Sequence, residues 1–391
     1  MKLTFVANFL NQHTLPICKE FYNILGDDFI FIATAPMSKE RIDLKNTDLN
    51  KIYPFVITTY DKKENLRLAY EIVAKSDVVI LGSAPDKMLF ERLRKGKLTF
   101  KHCERLFKQG TAARYYIKNA LRVYKHFGRF RKTNLYCLAA SAYTAADINS
   151  FLEFNNRVYK WGYFTEYQKC NDIKKLIQTK TANSLLWVGR LVDGKYPEEA
   201  IETARFLKLK RIPFNMEIIG IGEKKEILYK MIKEYNLEDS VHMLGSMSPE
   251  QVQKHMKRSQ IFLFTSDFRE GWGAVLNEAM SNACAVVTSH ASGAVPYLIK
   301  NNYNGLIYRN GEKESLYKKV VWLLENTEKR EEIAQNAYET IDKVWNAQNA
   351  ARKFILLSEK LMAGEKAIFD NGPCSKAEII TNDWYQDVDL S

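Results

Sequence analysis

The sequence predicts an α/β protein with two parallel-sheet domains, and three observations support this prediction. Short apolar runs rich in β-branched residues alternate with longer amphipathic stretches, which is the pattern of βα units on parallel sheets. These runs form two sets, and the polar residues 165–183 separate them. The length of 391 residues is sufficient for two domains, each with its own core.

Each domain contains five predicted strands. In the first half they cover residues 3–7, 29–33, 55–59, 77–82 and 135–140. In the second half they cover residues 184–189, 215–220, 240–245, 261–266 and 285–289. We therefore expect two Rossmann-like domains with a cleft between them, over residues 1–175 and 176–346. A terminal segment, residues 347–391, contains a long helix over 347–369 that can pack back on the first domain, and a tail without a clear pattern.

The composition excludes several classes of protein. With 46% hydrophobic and 27% charged residues the chain is typical of globular proteins, and no apolar run approaches the ~18 residues of a membrane span. Residues 1–10 are interpreted as a buried strand, because polar residues interrupt them and no signal-peptide cleavage site follows. The six cysteines are scattered without a C-x-x-C pair, which indicates a reducing cytosol and neither disulfides nor a zinc site.

Residues 92–132, here called the basic segment, hold most of the excess charge. They contain 14 Lys and Arg against one acid, Glu104, and so carry +13 in a chain whose net charge is +12. Aromatic residues are interleaved with the cations: Phe100, Phe107, Tyr115, Tyr116, Tyr124, Phe127 and Phe130. This combination predicts one local surface that meets an anionic partner.

Two kinds of anionic partner fit the basic segment. Nucleic acids and membrane interfaces both favour cations beside aromatic side chains. No DNA- or RNA-binding motif accompanies the segment, so we expect no nucleic-acid partner. Clustered Lys and Arg contribute about 1 kcal/mol each near an anionic leaflet. We therefore favour a cytoplasmic protein that docks peripherally on the inner face of the cytoplasmic membrane, over a merely solvated surface.

The stretch "SDFREGWGAVLNEAM" combines a strand end, a glycine turn and a helix start. Gly271 and Gly273, on either side of Trp272, allow the backbone to turn sharply and a ligand to approach closely. A helix that begins near Ala274 and Val275 directs its free N–H groups at that ligand. The result is an anion site beyond the carboxyl end of a strand.

Two carboxylates flank this anion site. Glu270 lies in the loop before it, and Glu278 lies about four residues into the helix, or ~6 Å along its axis. The order of carboxylate, anion site and carboxylate matches a nucleotide sugar, which presents sugar hydroxyls, a diphosphate and a ribose diol. The alternative is that both glutamates are ordinary helix-start acids, which favour the helix dipole.

A diphosphate between two carboxylates needs cations, and the stretch "WVGRLVDGKYPEEAI" contains them. Arg190 and Lys195 follow the first strand of the second half, in a loop at the same edge of the sheet. Arg forks onto phosphate oxygens and Lys adds a compact charge, so the two would stabilise a leaving nucleoside diphosphate without a metal. Taken alone, each is also an ordinary solvated loop residue.

Five stretches occur in an order and spacing that resemble a known family: "VGRLVDGK", "IIGIGE", "LGSMSPEQV", "REGWGAVLNEAM" and "GAVPYLIKNNYNGLIY". Over residues 184–325 they resemble the signature of retaining glycosyltransferases of family 4, which have the GT-B fold. The resemblance implies a nucleoside diphosphate sugar as donor, foremost a UDP-sugar. It also implies retention of the anomeric configuration, and neither a metal nor another cofactor.

The resemblance assigns roles to the donor-side residues. It implies that Arg190 and Lys195 bind the donor diphosphate, that Glu270 contacts the transferred sugar and that Glu278 holds the ribose. The backbone of residues 271–273 would lie against the sugar and phosphate. We take Glu270, Arg190 and Lys195 as candidate catalytic residues and the others as candidate donor-binding residues.

Two residues depart from the family pattern. Tyr196 stands where a glycine often follows the lysine, and Ala283 stands where "NG" is usual. These departures bear on the identity of the donor more than on the reaction. "IIGIGE" lacks the third glycine of a dinucleotide fingerprint, so Gly220 and Gly222 are interpreted as a strand-end turn near the base or ribose.

Candidate acceptor-side residues lie in the first half. Asn11 and His13 follow the first strand, where the GT-B fold places an acceptor loop, although His13 also fits a capped helix start. A looser resemblance, in "SAPD", "FKHCERLFKQG", "AASAYTAADINSF" and "KWGYF", is to a bacterial subgroup that builds capsular, O-antigen or related surface polysaccharides. Glu104 and Arg105 fit the Glu-Arg pair of that subgroup, while local charge balance is the alternative role of Glu104.

These expectations combine into one function. We expect a glycosyltransferase that moves a sugar from a nucleoside diphosphate sugar to a hydroxyl of a lipid-linked glycan, in bacterial surface polysaccharide synthesis. Two alternatives stay open: a nucleotide-sugar epimerase or hydrolase on the same fold, and a non-catalytic nucleic-acid-binding protein that uses the basic segment. The tripeptide "DVD", residues 387–389, matches a metal-binding Asp-x-Asp, but it lies in the tail and is interpreted as chance.

Overall fold

The computed structural model describes residues 1–37, 48–108, 110 and 112–387. Two residues of the basic segment, Gln109 and Thr111, lie outside this description, and so does Asp389 of the "DVD" tripeptide. Among the described residues, no helix is both long and apolar enough to cross a bilayer.

The described residues form two units, and each contains one parallel sheet. Unit 1 is Met1–Glu166 with Trp345–Thr381. Unit 2 is Tyr167–Val344 with the residues from Asn382 onward. The α/β class predicted from the alternating sequence pattern is therefore confirmed.

Unit 1 contains seven described strands and, before the terminal helix, five described α-helices. The strands are β1 (Leu3–Ala7), β2 (Phe29–Ala33), β3 (Val56–Thr58), β4 (Val78–Leu81), β5 (Thr99–Cys103), β6 (Leu135–Ala139) and β7 (Val158–Lys160). The helices are α1 (Leu15–Leu25), α2 (Lys63–Lys75), α3 (Phe90–Arg94), α4 (Tyr116–His126) and α5 (Thr144–Asn149). The sheet order is β3-β2-β1-β4-β5-β6-β7, with all neighbours parallel.

Unit 2 contains six described strands and eight described α-helices. The strands are β8 (Ser184–Val188), β9 (Asn215–Ile219), β10 (Val241–Gly245), β11 (Ile261–Phe264), β12 (Ala285–Ser289) and β13 (Leu306–Tyr308). The helices are α6 (Ile173–Gln178), α7 (Pro197–Leu209), α8 (Lys225–Glu234), α9 (Pro249–Arg258), α10 (Ala274–Ser281), α11 (Val295–Leu298), α12 (Lys313–Glu325) and α13 (Thr327–Lys343). The sheet order is β10-β9-β8-β11-β12-β13, again parallel throughout.

Three described strands, β5, β7 and β13, have no counterpart in the sequence prediction. β5 has the sequence "TFKHC", in which Lys101 and His102 interrupt the apolar run. β7 and β13 contain only three residues each, too few for a periodic pattern to identify them. All three strands are recognised through their neighbours in the sheet.

The terminal helix α14 (Ala347–Met362) shares the core of unit 1. The Phe354 ring lies 5.4 Å from that of Phe21, 4.9 Å from Phe100 and 5.7 Å from Trp161, measured between centroids. Such edge-on contacts among buried aromatic rings stabilise a core. The helix ends well before residue 369, where Gly364 adopts φ +75° and its N–H donates to Leu361 O at 3.2 Å.

The tail has structure that its sequence pattern does not reveal. In unit 1, Lys160 N donates to Ser375 O at 2.7 Å and Ala377 N donates to Val158 O at 3.1 Å, so this stretch pairs with the edge strand β7. In unit 2, the first acid of "DVD", Asp387, accepts a hydrogen bond from Lys319 Nζ at 2.6 Å. The tail therefore contributes to both units.

The basic segment is not one continuous surface, and the prediction is wrong on this point. Arg92, Lys101 and Arg105 are buried within unit 1. Lys101 Nζ donates to Asp86 Oδ1 at 2.6 Å, in the interior. Four of the interleaved aromatic residues are also buried: Phe100, Phe107, Phe127 and Phe130. The reason is that the segment includes β5, an interior strand of the sheet, so part of its charge is enclosed.

Candidate functional site

The strand order of unit 2 reverses at one point of the sheet. The chain runs outward from β8 through β9 to β10, then returns to β11 on the other side of β8 and continues to β12 and β13. Open parallel sheets bind ligands beyond the carboxyl ends of their strands, at the point where the order reverses. The loops after β8 and β11 border this point, and they carry Arg190, Lys195 and Glu270.

Lys195 and Glu270 meet across the reversal point. Lys195 Nζ forms an ion pair with Glu270 Oε2, and the two side chains are only 22% and 16% exposed. Two hydrogen bonds to the backbone of the loop after β8 also join the two loops: Thr265 Oγ1 donates to Lys195 O at 2.6 Å, and Asp267 N donates to Gly194 O at 2.9 Å. Two groups that are distant in sequence thus form one partly buried charged pair.

Helix α10 begins directly after the loop that carries Glu270. Gly273 is its N-cap residue, no side chain caps the helix, and no acid lies in the first turn. The first N–H groups of an α-helix have no intrahelical partner, so Ala274 and Val275 present partial positive charge at this edge. This start of α10 is therefore suited to an anion.

Trp272 packs into unit 2. Its side chain is 1% exposed, and its Nε1 donates to Asn277 Oδ1 at 2.8 Å. Its carbonyl oxygen accepts a hydrogen bond from Ser292 Oγ at 2.8 Å, which ties the loop after β11 to the loop after β12. The indole holds the Gly271–Gly273 turn in place, and all three residues of the turn are buried.

Glu278 and Arg190 complete the predicted donor-side set. Glu278 lies one turn into α10 and is half-buried. Arg190 is exposed in the loop after β8, and it forms no ion pair with any residue the structure describes. Since Lys195 is already paired with Glu270, Arg190 is the cation of this set that an added anion would meet first.

Gly220 and Gly222 have a structural reason to be glycine. They follow β9, and a Cβ on Gly220 would overlap the carbonyl oxygen of Gly189, while one on Gly222 would overlap that of Leu191. The two glycines let the loop after β9 contact the backbone of the loop that carries Arg190 and Lys195. Gly220 and Gly222 therefore allow the close packing that fixes the loop after β8, and this role does not depend on the ligand.

The two departures from the family pattern share one backbone feature. Tyr196 has φ +48° and Ala283 has φ +53°, so both adopt the left-handed conformation. Glycine adopts it without steric cost, whereas other L-residues lose roughly 1–2 kcal/mol. The backbone conformation is therefore the physical reason for a glycine at these positions.

Sequence reasoning missed Lys224 and Arg269, which also border these loops. Lys224 Nζ donates to Asp193 Oδ1 at 2.6 Å and pairs with Glu198, so it joins the loop after β9 to the loop after β8. Arg269 Nε donates to Asp267 Oδ2 at 2.9 Å. The only indication in the sequence was a cation in the loop that follows a strand. Many solvated loops contain such a cation, so the pattern did not identify these two residues. Among the described residues, no group of His, Cys, Asp and Glu has the arrangement of a metal site.

On the predicted acceptor side, the Asn11 side chain stabilises the turn that precedes α1. Its Oδ1 accepts hydrogen bonds from His13 N at 2.9 Å and Thr14 N at 3.0 Å. The His13 ring lies 6.0 Å from the ring of Tyr163, measured between centroids. Both predicted residues follow β1, whose neighbour β4 marks the reversal of strand order in this sheet.

Glu104 lies near the same edge of the unit 1 sheet. Its Oε1 accepts a hydrogen bond from Tyr163 OH at 2.7 Å, and its other oxygen pairs with Lys108. Burial opposes ionisation of Glu104, but Lys108 and the tyrosine hydroxyl lower its pKa overall. Tyr163 thus links Glu104 to His13, which brings two of the predicted acceptor-side residues together.

Arg105 belongs to the interior of unit 1. It is 5% exposed, its guanidinium lies 4.6 Å from the centroid of the Tyr143 ring, and its Nε lies 3.7 Å from Asp147 Oδ2. Burial raises the pKa of Asp147 to about 6, although Arg105 acts in the opposite direction. The adjacent Glu104 and Arg105 therefore have different surroundings, and the structure does not form them into one pair.

Replacing Gly273 by alanine is expected to destabilise unit 2 and displace the loop of Glu270. Gly273 has φ +94°, and an added Cβ would overlap the Phe264 ring. Left-handed strain and overpacking each cost roughly 1–3 kcal/mol, so the midpoint of a thermal melt should fall. Gly245→Ala is the matched control, because Gly245 has φ +72° but open space at its Cβ position. Equal losses from both variants would contradict the steric argument.

Residues 168–340 match a family model described as "Glycosyl transferases group 1". The matched residues contain β8 to β13, and therefore every loop of the candidate donor side. The family resemblance predicted from the motifs is confirmed at this level. Retention of configuration remains a prediction.

Curated relatives resemble parts of the chain. The amylovoran biosynthesis glycosyltransferase AmsK of Erwinia amylovora is 34% identical over 137 residues, which are 34% of this chain and 33% of that protein. The N-acetylgalactosamine-N,N'-diacetylbacillosaminyl-diphospho-undecaprenol 4-alpha-N-acetylgalactosaminyltransferase of Campylobacter jejuni is 34% identical over 173 residues, which are 43% of this chain and 45% of that protein. The chain spans less than half the length of the curated relatives it matches.

Solved structures resemble nearly the whole chain. Anabaena Alr3699/HepE in complex with UDP has a TM-score of 0.66 at 17% identity, over 93% of this chain and 100% of that one. Sucrose-phosphate synthase from Thermosynechococcus elongatus has a TM-score of 0.66 at 14% identity, with the same two coverages. At these identities the likeness shows the fold alone, and it confirms the predicted GT-B fold.

Proposed function

Because residues 168–340 belong to the glycosyl transferases group 1 family, we propose that this protein is a glycosyltransferase. Its donor is a nucleoside diphosphate sugar, foremost a UDP-sugar, and its acceptor is a hydroxyl of a lipid-linked glycan. The anomeric configuration of the sugar is retained. The product is part of a bacterial surface polysaccharide.

One observation carries the proposal: Lys195 and Glu270 pair at the reversal point of the unit 2 sheet, directly before the start of α10. A diphosphate at this helix start would lie beside Lys195 and Arg190. The transferred sugar would lie beside Glu270, and the ribose beside Glu278, one helical turn further. The order of carboxylate, cationic helix start and carboxylate thus matches the order of sugar, diphosphate and ribose in a nucleotide sugar.

In the reaction, the bond between the anomeric carbon and the diphosphate oxygen breaks and a bond to the acceptor oxygen forms. The proton of the acceptor hydroxyl passes to the departing diphosphate or to water. Negative charge develops on the leaving nucleoside diphosphate. Arg190, Lys195 and the first N–H groups of α10 stabilise that charge, and fixed donors are most effective at this task. Glu270 orients the sugar and holds Lys195 in position.

The relatives support the proposed pathway. AmsK is named for amylovoran biosynthesis, and the name of the Campylobacter enzyme specifies a diphospho-undecaprenol-linked acceptor. The structure of HepE contains UDP. The alignments to these curated relatives cover only parts of both chains. We further propose that His13 and Glu104 contact the acceptor and that Asn11 positions His13. Arg105, which lies against Tyr143 and Asp147, would support this side from the interior of unit 1.

A lipid-linked acceptor also places the protein at a membrane. We propose that it works peripherally at the inner face of the cytoplasmic membrane, with exposed cations of the basic segment towards anionic lipid. The buried Arg92, Lys101 and Arg105 take no part in this attraction. Nucleic acid is not an expected partner.

A thermal-shift panel of nucleoside diphosphates and their sugars tests the donor site. At a ligand concentration 100-fold above the dissociation constant, binding adds ~2.7 kcal/mol of stability. This raises the melting temperature of a unit of this size by roughly 5–10 °C. Arg190→Ala and Glu278→Ala should lose most of the shift, whereas Lys230→Ala, a charge removed from the exposed side of α8, should keep it. If no nucleotide stabilises the protein, or all three variants respond alike, the donor site is misassigned.

The same preparations separate the alternative functions. An epimerase or hydrolase turns over the donor without an acceptor, whereas a transferase shows at most slow hydrolysis. A nucleic-acid-binding protein binds duplex or single strands in a strongly salt-sensitive way and gains no stability from nucleotides.

A further inference from the structure

Helix α4 of unit 1 exposes an apolar stripe. Ile117, Leu121 and Tyr124 are 74%, 62% and 63% exposed. Their spacing of four and three residues places them on one face of the helix. Tyr116, at the start of α4, is 61% exposed. Single exposed apolar residues are ordinary, but a run of large ones along one face indicates an interaction surface.

The opposite face of α4 anchors the helix to unit 1. Val123 and Asn119 are buried, and Asn119 Nδ2 donates to Gly110 O at 3.2 Å. At the end of α4, His126 Nδ1 lies 3.1 Å from Asp86 Oδ2. One side of α4 thus packs on unit 1, and the apolar stripe lies on the other, solvent-exposed side.

Cations accompany the stripe. Lys118 and Lys125 are exposed on α4, while Arg114 and Arg129 are exposed beyond its two ends. The helix itself contains no acid. The Arg129 guanidinium lies 5.0 Å from the centroid of the partly exposed Phe90 ring and also pairs with Asp86 at 3.0 Å, so Lys118 and Lys125 are the cations on α4 itself.

We propose that α4 docks the protein on an anionic lipid bilayer. The helix lies in the plane of the interface, with Ile117 and Leu121 among the acyl chains, Tyr124 at headgroup level, and Lys118 and Lys125 at the lipid phosphates. Apolar side chains on one face with Lys or Arg beside them are the features of an interfacial helix. A nucleic acid would attract the same cations, but it gives the isolated aliphatic side chains no apolar environment.

This inference deepens the proposed function and rests on it in one respect: a lipid-linked acceptor lies at the bilayer that α4 would contact. The docking itself does not depend on the chemistry of the donor. The two proposals can therefore fail separately.

Vesicle flotation of the full chain tests the docking. The protein should float with phosphatidylcholine vesicles that contain phosphatidylglycerol, and not with phosphatidylcholine alone. Ile117→Glu combined with Leu121→Glu should lower binding by roughly 100-fold, since two inserted side chains are lost. Lys118→Gln and Lys125→Gln should each lower it roughly fivefold, and added salt should do the same.

Leu66→Glu with Leu68→Glu is the matched control, because these leucines are 45% and 44% exposed on α2 of the same unit. This control should float like the wild type, and all the variants should keep its melting temperature. Equal binding to both vesicles, no binding to either, or equal losses from the α2 and α4 variants would overturn the docking. The docking would also be overturned if the protein did not float but bound duplex DNA tightly, and if Ile117→Glu with Leu121→Glu left that DNA binding unchanged. If the wild type floats and the α4 glutamate variant does not, while both keep the nucleotide shift, the docking is supported and the donor site stands. If the wild type floats but shows no nucleotide shift, the donor site alone is rejected.

Discussion

Replacing Lys180 by methionine is expected to lower the melting temperature of unit 2 by roughly 6–12 °C. Lys180 is 7% exposed, and its three Nζ–H donors face four backbone oxygens within hydrogen-bond distance: Met256 O at 3.0 Å, Lys257 O at 3.1 Å, Ser259 O at 2.9 Å and Asn282 O at 2.8 Å. These carbonyls lie at the carboxyl ends of α9 and α10, where helices carry unpaired acceptors and partial negative charge. One ammonium group therefore caps the carboxyl ends of two helices.

Methionine keeps the length of the side chain and removes the donor. Each buried acceptor left without a partner costs about 1–3 kcal/mol, and some of these carbonyls keep other contacts, so the net loss should be ~3 kcal/mol. Scanning calorimetry of the full chain measures it. Hydrogen exchange should rise in the last turns of α9 and α10 and change little in unit 1.

Lys174→Met is the matched control for Lys180, because Lys174 lies nearby on α6 with its side chain exposed. A surface substitution of this kind should change stability by at most about 0.5 kcal/mol. An unchanged melt for Lys180→Met, or an equal fall for the control, would show that the buried ammonium does not hold the two helices.

Replacing Lys195 by methionine is expected to lower kcat of sugar transfer by roughly 100- to 1,000-fold. The lysine lies in the loop after β8, beside the position proposed for the leaving diphosphate, and it pairs with Glu270 from the loop before α10. The charge on the leaving group grows in the transition state, so kcat should fall more than the affinity for the donor. Release of the nucleoside diphosphate in the presence of acceptor measures the rate.

Lys230→Met removes the same charge from an exposed position on α8 and should leave kcat unchanged. A double-mutant cycle with Glu270→Gln then defines the role of the glutamate. If Glu270 acts only by holding Lys195, the double variant should be no slower than Lys195→Met alone. If it also contacts the sugar, the two losses should add. Full activity of Lys195→Met would refute the proposed leaving-group contact.

The sequence predicts most of the strands because they are short apolar runs. β1, β2 and β12 begin and end at the predicted residues, since β1 and β12 are buried throughout and β2 is buried except at Ile30, as fits strands within a parallel sheet. β5 is the informative exception. Its Lys101 and His102 read as surface residues, yet Lys101 is enclosed because Asp86 supplies a charged partner from another loop.

The candidate donor side is predictable for a related reason. Loops that follow parallel strands meet at one edge of the sheet, so the motifs around Lys195 and Glu270 can be assigned to one site from the order of strands and loops along the chain. Their direct pairing cannot be predicted in this way, because it requires β8 and β11 to be neighbours. That adjacency is a long-range property of the sheet.

The sequence by itself determined the α/β class, the similarity of residues 168–340 to the glycosyl transferases group 1 model and the positions of the loops of the candidate donor side, because these depend on local pattern and spacing. Only the tertiary structure decided which charges are available. Arg92 and Lys101 are buried, and Lys180 caps the carboxyl ends of α9 and α10. The apolar face of α4, in contrast, is exposed to solvent. The physical reason is that burial and pairing of a charged side chain depend on neighbours from distant parts of the chain, and composition does not specify them.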